Sequence, residues 1–459
     1  MAPQITIIGG GSYQWVPKLI DDIAQTPVLQ DADVVLEDID ASRLSRTTAY
    51  VEHVARVLAI PLRVRATTDQ RDALTGADFV VVNISTGGFR SMVHDIEIPA
   101  RYGIMQSVGD TVGPGGISRS LRNIPVLLRV AREMEEVCPD AWMLNLTNPM
   151  TTLCRTVTRE TGIRTAGLCH ELTITHFYLS LLLDVPFFDI GMTVTGVNHL
   201  PIITTVTAGG HDGLTQLADL LENAEGLREP LPEWVAEALD QKPRPDGKAW
   251  TKADLVDVNR LKVELFERTG ALPGAGDRHV AEFFPGFLTE VSTLGKRWGV
   301  ELTSIAEREA WEARYLAELD ARMARDEISG LPSGEMVHTV IRCLLTGDPA
   351  HLPLNIPNAG QCPDLPPDVV VESMCTVDGD GIRGRDAAVA PPLLAEQLRR
   401  VSASQELTIT AALRGSREAV FEAMLLDPLA GRLDYDQVAQ MTSELIDATR
   451  EWLPQFSFG

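Results

Sequence analysis

No stretch of this chain is apolar for the roughly 20 residues a membrane span needs. Its first residues, MAPQITIIGGGSYQW, lack the basic start and the small-residue cleavage site of a signal peptide. A cytoplasmic protein is therefore expected. The six cysteines (Cys138, Cys154, Cys169, Cys343, Cys362, Cys375) show no Cys-x-x-Cys spacing, and without a leader they read as reduced thiols. Low-complexity tracts and short repeats are also missing. Positive charge is scarce: 40 Lys and Arg stand against 64 Asp and Glu, a formal net charge of −24. That balance repels nucleic acid and anionic membranes, so neither is an expected partner. It does not exclude an anionic substrate, because a site can be locally positive.

What is present is ordinary globular composition, 44% hydrophobic and 23% charged, over 459 residues. That length exceeds one compact core, so two or three domains are expected. The first half alternates short apolar runs with helical spacing. Ile5–Ile8, Val34–Glu37, Phe79–Val82, Trp142–Leu146 and Thr165–Leu168 read as strands, with helical patterns such as Arg43–Leu58 between them. This is the signature of an α/β fold with a parallel sheet. Near Phe188 the pattern changes. Met192–Val197 and Ile202–Thr207 read as paired strands around Asn198-His199-Leu200-Pro201. Trp311–Leu345 and Leu393–Trp452 carry long helical periodicity, and Gln241–Gly247 and Leu352–Pro367 read as loops or linkers. The expected division is a Rossmann-like domain, 1–190, and a mixed α+β, largely helical domain, 191–459, in the manner of lactate and malate dehydrogenases.

Each first-half strand ends in small or polar residues. In an open parallel sheet, ligands bind at those carboxyl ends. Gly9-Gly10-Gly11-Ser12 follows a strand and opens a helix, the setting of a dinucleotide-binding turn. A pyrophosphate needs close backbone approach and free N–H groups at the helix start. Asp38, ending the second strand, is placed to accept ribose hydroxyls, which favours NAD over NADP. The third glycine of the fingerprint is Gln14, and a tight turn without a ligand is the plainer reading. Gly9, Gly11, Ser12, Asp38, Asn83 and Asn145 are the candidate cofactor contacts.

Cys169 ends a strand beside His170 and Glu171, and His199 lies about thirty residues later. Thiolate, imidazole and oxygen donors suit Mn²⁺, Fe²⁺, Co²⁺ or Zn²⁺. A core cysteine and a hydrogen-bonded histidine are the plainer alternatives. The glycine-dense Gly109–Gly116 carries one carboxylate, Asp110, as an acid or a hydroxyl contact in a covering loop. Gly276-Asp277-Arg278-His279 is a second knot of titratable groups.

Taken together these segments resemble glycoside hydrolase family four. The resemblance runs in order through Gly9–Ser12, Glu37–Asp40, Gly109–Arg119, Asn145–Pro149, Cys169–Glu171, Gly196–His199, Asn355–Gly360 and Leu425–Leu433. It implies a hydrolysis outside the two-carboxylate scheme. NAD⁺ takes hydride from carbon 3 of the sugar. A divalent metal, usually Mn²⁺ held by Cys169 and His199, polarises the ketone. A base removes the carbon-2 proton, the glycosidic oxygen leaves, water adds, and the hydride returns. Asn148 is then expected at the sugar, with Asp110 assisting the leaving group. Phospho-glycosidase members use a tyrosine as base, but none lies between Tyr178 and Tyr315. Asp277 is the expected replacement, with His279 in reserve. The Cys-His-Glu triplet resembles α-glucosidase-like members. It favours an α-glucoside or α-galactoside, leaves uronides open, and makes His170, Arg278 and His279 candidate substrate contacts. A homodimer or homotetramer is the expected assembly. Two competing readings are an NAD-dependent dehydrogenase of hydroxy acids or sugars, and a non-catalytic sugar or nucleotide sensor.

Overall fold

The computed structural model describes residues 2–232, 235, 248–330 and 332–458. Six parallel strands form its centre: β1 (Gln4–Ile8), β2 (Asp33–Glu37), β3 (Arg63–Thr67), β4 (Phe79–Val82), β5 (Trp142–Asn145) and β6 (Arg164–Gly167). Their spatial order is β3-β2-β1-β4-β5-β6, the doubly wound arrangement. The chain reverses direction of winding between β1 and β4, which opens a crevice at their carboxyl ends. Runs such as FVVV in β4 are buried throughout because helices cover both faces of the sheet. β3 was not read from the sequence. Its RVRAT is mostly exposed at the sheet edge and carries no apolar run.

The connecting helices are α1 (Trp15–Ala24), α2 (Ala41–Leu58), α3 (Gln70–Leu74), α4 (Gly88–Arg101), α5 (Gly113–Val137), α6 (Met150–Glu160) and α7 (Glu171–Leu183). α1 and α2 pack Leu19, Ile20, Tyr50 and Val54 against Ile5, Ile7 and Leu36 on one face. α5 packs Ile124 and Leu127 against Val80, Val82 and Met143 on the other. Each such fully buried aliphatic side chain stabilises the fold by about 1.5–3 kcal/mol.

Beyond α7 the hairpin of β7 (Ile190–Val197) and β8 (Leu200–Ala208) carries the short β9 (His211–Asp212), and β10 (Leu272–Pro273) pairs with β8 in a second, antiparallel sheet. The first sheet does not end with β6. β11 (Ala350–Pro357) pairs antiparallel with it at Asn355 and Gly167, and β12 (Val370–Asp378) and β13 (Gly381–Gly384) follow outward. The expectation of a loop from Leu352 is thus corrected: HLPLNIP is a strand, because Leu354 and Ile356 bury against β6 and β12 despite two prolines. The loop expected at Gln241–Gly247 lies outside the described residues.

Helical periodicity in the second half is broken where helices change partners. Ile305–Arg325 and Val337–Thr346 are separate helices, as are Pro392–Arg414, Arg417–Leu426 and Tyr435–Ala448. Ile409, Val420 and Met441 from the last three return to the α5 face of the first sheet. Among the described residues no helix is long and apolar enough to cross a membrane.

Candidate functional site

The β1–α1 turn is built for close approach. Gly9 has φ +88°, and a Cβ there would lie 1.9 Å from the Asn83 carbonyl oxygen. A Cβ on Gly11 would meet the Asp38 carboxylate at 2.8 Å. Ser12 Oγ accepts the Trp15 N–H, tying the turn to the first residue of α1. Asp38 leaves the end of β2 and accepts the Gly11 N–H at 3.0 Å. The neighbouring cation, Arg43, is neutralised by Glu312 and donates to the Gly11 carbonyl. Asn83 Nδ2 is buried without a hydrogen-bond partner at the end of β4. Asn145, another expected cofactor contact, ends β5 and is fully buried. Its side chain accepts the Thr147 N–H and donates to the Thr147 carbonyl, so it shapes the turn that presents Asn148.

A second centre lies where three separate elements meet. Asp110 sits on the loop before α5, His199 at the tip of the β7–β8 hairpin, and His279 on the helix Asp277–Phe283. One ligand atom from each lies within 4.8 Å of the others. The hairpin turn is only Asn198-His199, and His199 has φ +67°. Left-handed backbone at a non-glycine residue costs about 1–3 kcal/mol and is concentrated at functional sites. The His199 and His279 ring centroids are 3.7 Å apart. Thr111 Oγ1 is 2.7 Å from both Asp110 Oδ1 and His199 Nδ1. Asn148 Nδ2 donates to Asp110 Oδ2 at 3.2 Å, and Arg119 donates to the Asn148 carbonyl. His279 Nδ1 and Asn148 Oδ1 are buried with no partner.

Burial opposes the charge on Asp110. The fields of His199, His279 and Arg119, with the Thr111 hydroxyl, outweigh it and hold the carboxyl well below its usual range. Burial drives the two imidazoles toward neutrality: His279 falls to about 3, and His199 is lowered too. Arg119 and the Thr111 hydroxyl favour the ionised Asp110 whatever the charge of the two rings. Two neutral imidazoles and a carboxylate are a donor set that fits a divalent cation.

Cys169, directly after β6 and Leu168, stands outside that three-residue group. Burial and the charges of Glu372 and Glu171 push its thiol well above the usual range, while Asn198 opposes them. A bound cation would reverse that sign. Glu171 opens α7, accepts the Gly276 N–H at 2.6 Å, and lies 3.6 Å from His279 and 3.7 Å from His170. His170 also faces the buried Glu335 at 3.0 Å. Burial works to lower His170, but Glu335 and Glu171 prevail and push it up to about 9.

Asp277 has both oxygens engaged, accepting the N–H groups of Leu261 and Lys262 at the start of the helix Arg260–Thr269. Burial raises it to about 6 against the pull of Lys262 and those two bonds. Arg278 donates to Thr303 Oγ1, and its Nε is buried and unpartnered. Arg308 donates to the Val108 carbonyl and also has an unpartnered Nε. Thr111, Glu282, Glu335 and Arg308 were missed in the sequence. Thr111 had a signal, its adjacency to Asp110. Glu335 and Arg308 had none, being brought in from a distant loop and a distant helix.

A doubly wound nucleotide-type sheet with a buried carboxylate–imidazole centre outside its strand ends defines an enzyme scaffold. Residues 4–185 match the family 4 glycosyl hydrolases, and residues 194–430 match the C-terminal domain of that family. The chain belongs to this family and is a glycosidase. It is 30% identical to the alpha-galacturonidase of Thermoanaerobacter italicus (strain DSM 9252 / Ab9), over 98% of this chain and 97% of that one. It is 31% identical to the alpha-galactosidase of Bacillus subtilis (strain 168), over 99% of each. A 6-phospho-alpha-glucosidase from gut microorganisms, solved in complex with NAD and Mn²⁺, shares the fold at a TM-score of 0.81 and 20% identity, over 100% of both chains.

Proposed function

We propose that this glycosidase binds NAD in the β1–α1 turn and a divalent cation, Mn²⁺ first, held by Cys169 and His199 beside Asp110 and His279. We propose further that it cleaves α-glycosides, α-galactosides foremost and α-glucosides next, by oxidation, elimination, water addition and re-reduction. The Asp110–His199–His279 centre carries this reading, since one ligand atom from each of three separate elements converges within 4.8 Å and His279 Nδ1 is buried without a partner. Gly9, Gly11 and Ser12 would receive the pyrophosphate, Asp38 the ribose, and Asn83 the nicotinamide side. Bound there, NAD would supply hydride transfer at carbon 3 and the cation would polarise the ketone. Asn148 orients a sugar hydroxyl through its free Oδ1, with Asp110 beside it to assist the leaving oxygen. Asp277 removes the carbon-2 proton: its basicity is raised toward working pH, and one lone pair on each oxygen stays open beyond its N–H bond. His279 is the competing base, favoured by its unpartnered Nδ1. His170 and Glu171 form the wall of the sugar pocket.

A specific observation supports a second sugar class. Arg278 and Arg308 each have a buried, partnerless Nε, and Arg119 is buried nearby, feeling the same Asp110 carboxylate as Arg308. These are three guanidinium groups beside the Asp110 and Glu282 carboxylates, with donors left over. A uronide carboxylate would accept from those donors, and one relative is named an alpha-galacturonidase. The test is a panel of nitrophenyl α-galactoside, α-glucoside and α-galacturonide with NAD⁺, Mn²⁺ and a thiol reductant. Hydrolysis that requires NAD⁺ without accumulating NADH is expected. Full activity without added or bound NAD⁺ would overturn the proposal.

A further inference from the structure

A threonine hydroxyl has one proton to give and two lone pairs. Thr111 Oγ1 stands 2.7 Å from Asp110 Oδ1, a carboxylate oxygen that only accepts. Its proton is committed there. The same oxygen is 2.7 Å from His199 Nδ1, and only lone pairs remain on that side. Nδ1 must therefore carry the ring proton and donate. We propose that Thr111 is a positioning residue that fixes His199 in its Nδ1–H tautomer, leaving the Nε2 lone pair free to bind a divalent cation. The hairpin backbone, left-handed at His199, places the ring, and Thr111 sets which nitrogen is the donor. Both side chains are buried, so water does not compete for the contact. The arrangement is a carboxylate–histidine pair with a hydroxyl inserted between them, and such outer partners govern how well a histidine ligates.

This assignment rests on the proposed cation at His199, so its test has two independent readouts. The first is direct Mn²⁺ binding to the full-length, NAD-loaded protein, followed by electron paramagnetic resonance. Thr111→Val keeps shape and removes the hydroxyl. It should weaken Mn²⁺ binding by about tenfold to a hundredfold, with NAD affinity unchanged. Thr111→Ser restores the hydroxyl and should restore Mn²⁺ binding. Wild-type affinity in Thr111→Val overturns the proposal, as does a Thr111→Ser variant as weak as Thr111→Val. The second readout is the proton on the ring, seen in long-range proton–nitrogen spectra of histidine-labelled protein without metal. The wild type should show His199 protonated at Nδ1, and Thr111→Val a mixture of tautomers. A wild-type ring protonated at Nε2 overturns the proposal whatever the metal result. Nδ1 protonation in a protein that binds no Mn²⁺ supports the Thr111 assignment and overturns the metal reading alone.

Discussion

His170 lies between two carboxylates, and its protonated form is what they stabilise. Its folded value is raised from 6.5 to about 9, burial being outweighed by Glu335 and Glu171. A group raised on folding stabilises fully below its unfolded value and loses that contribution as pH climbs through the folded one. The thermal midpoint should therefore fall between pH 6.5 and pH 9. Glu335→Gln should flatten that slope, and an unchanged slope in the variant would remove Glu335 as the cause. Because a third of the His170 side chain is exposed, the effect should be modest. At the cofactor turn, Asp38→Ala removes the proposed ribose acceptor. NAD affinity should drop by about 1.5–3 kcal/mol, the scale of a hydrogen bond to a charged group, and discrimination against NADP should weaken. Calorimetric titration with both nucleotides checks this, and an unaltered preference would clear Asp38 of the role.

The helix Asp277–Phe283 shows how one element assembles a site. His279 faces His199, while one turn on Glu282 accepts the N–H groups of Val108 and Gly109 at 2.7 and 2.8 Å. Those residues lead directly into Asp110, so the helix fixes the distance between Asp110 and His279. Glu282→Leu leaves two buried N–H groups without an acceptor, at about 1–3 kcal/mol each. Urea unfolding should report that loss, and Glu282→Gln, which keeps a carbonyl oxygen, should recover most of it. Equal destabilisation by both variants would show that charge, and not the acceptor, matters. Asp38, Asn83, Asn148 and Cys169 were legible as candidates because each follows an apolar strand that announces where the carboxyl edge lies, and Asp110 because it is the one carboxylate in a glycine-dense segment. His199 was legible too, at the end of a strand-like run. Glu282 was not, since a glutamate one turn along a short helix looks like any solvated charge. Asn145 ends a strand where a cofactor contact is expected, and its amide also bonds Thr147, a local tie that the sequence does not announce. β11 stayed hidden because its prolines imitate a loop, and only its place beside β6 makes it a strand.

At the scale of the whole molecule, the proposed reaction needs both halves at once. The nucleotide turn and Asp110 come from before residue 190, and His199, Asp277 and His279 from after it. Elimination across carbons 1 and 2 requires that the carbon-2 proton leave the sugar during every turnover. Hydrolysis in D₂O should therefore place deuterium at carbon 2 of the released sugar, whereas direct displacement leaves that carbon untouched. The two candidate bases separate in the same experiment. Asp277→Asn keeps the size of the side chain and removes its basicity. It should slow both turnover and deuterium incorporation, while NAD and Mn²⁺ still bind. His279→Gln should lose Mn²⁺ affinity more than exchange, because its free nitrogen belongs to the Asp110–His199 group. If Asp277→Asn exchanges at the wild-type rate and His279→Gln does not, the base is His279, and Asp277 serves only as the cap on the helix Arg260–Thr269. If wild-type product carries no deuterium at carbon 2, the elimination route falls, and the glycosidase must break the bond by another path.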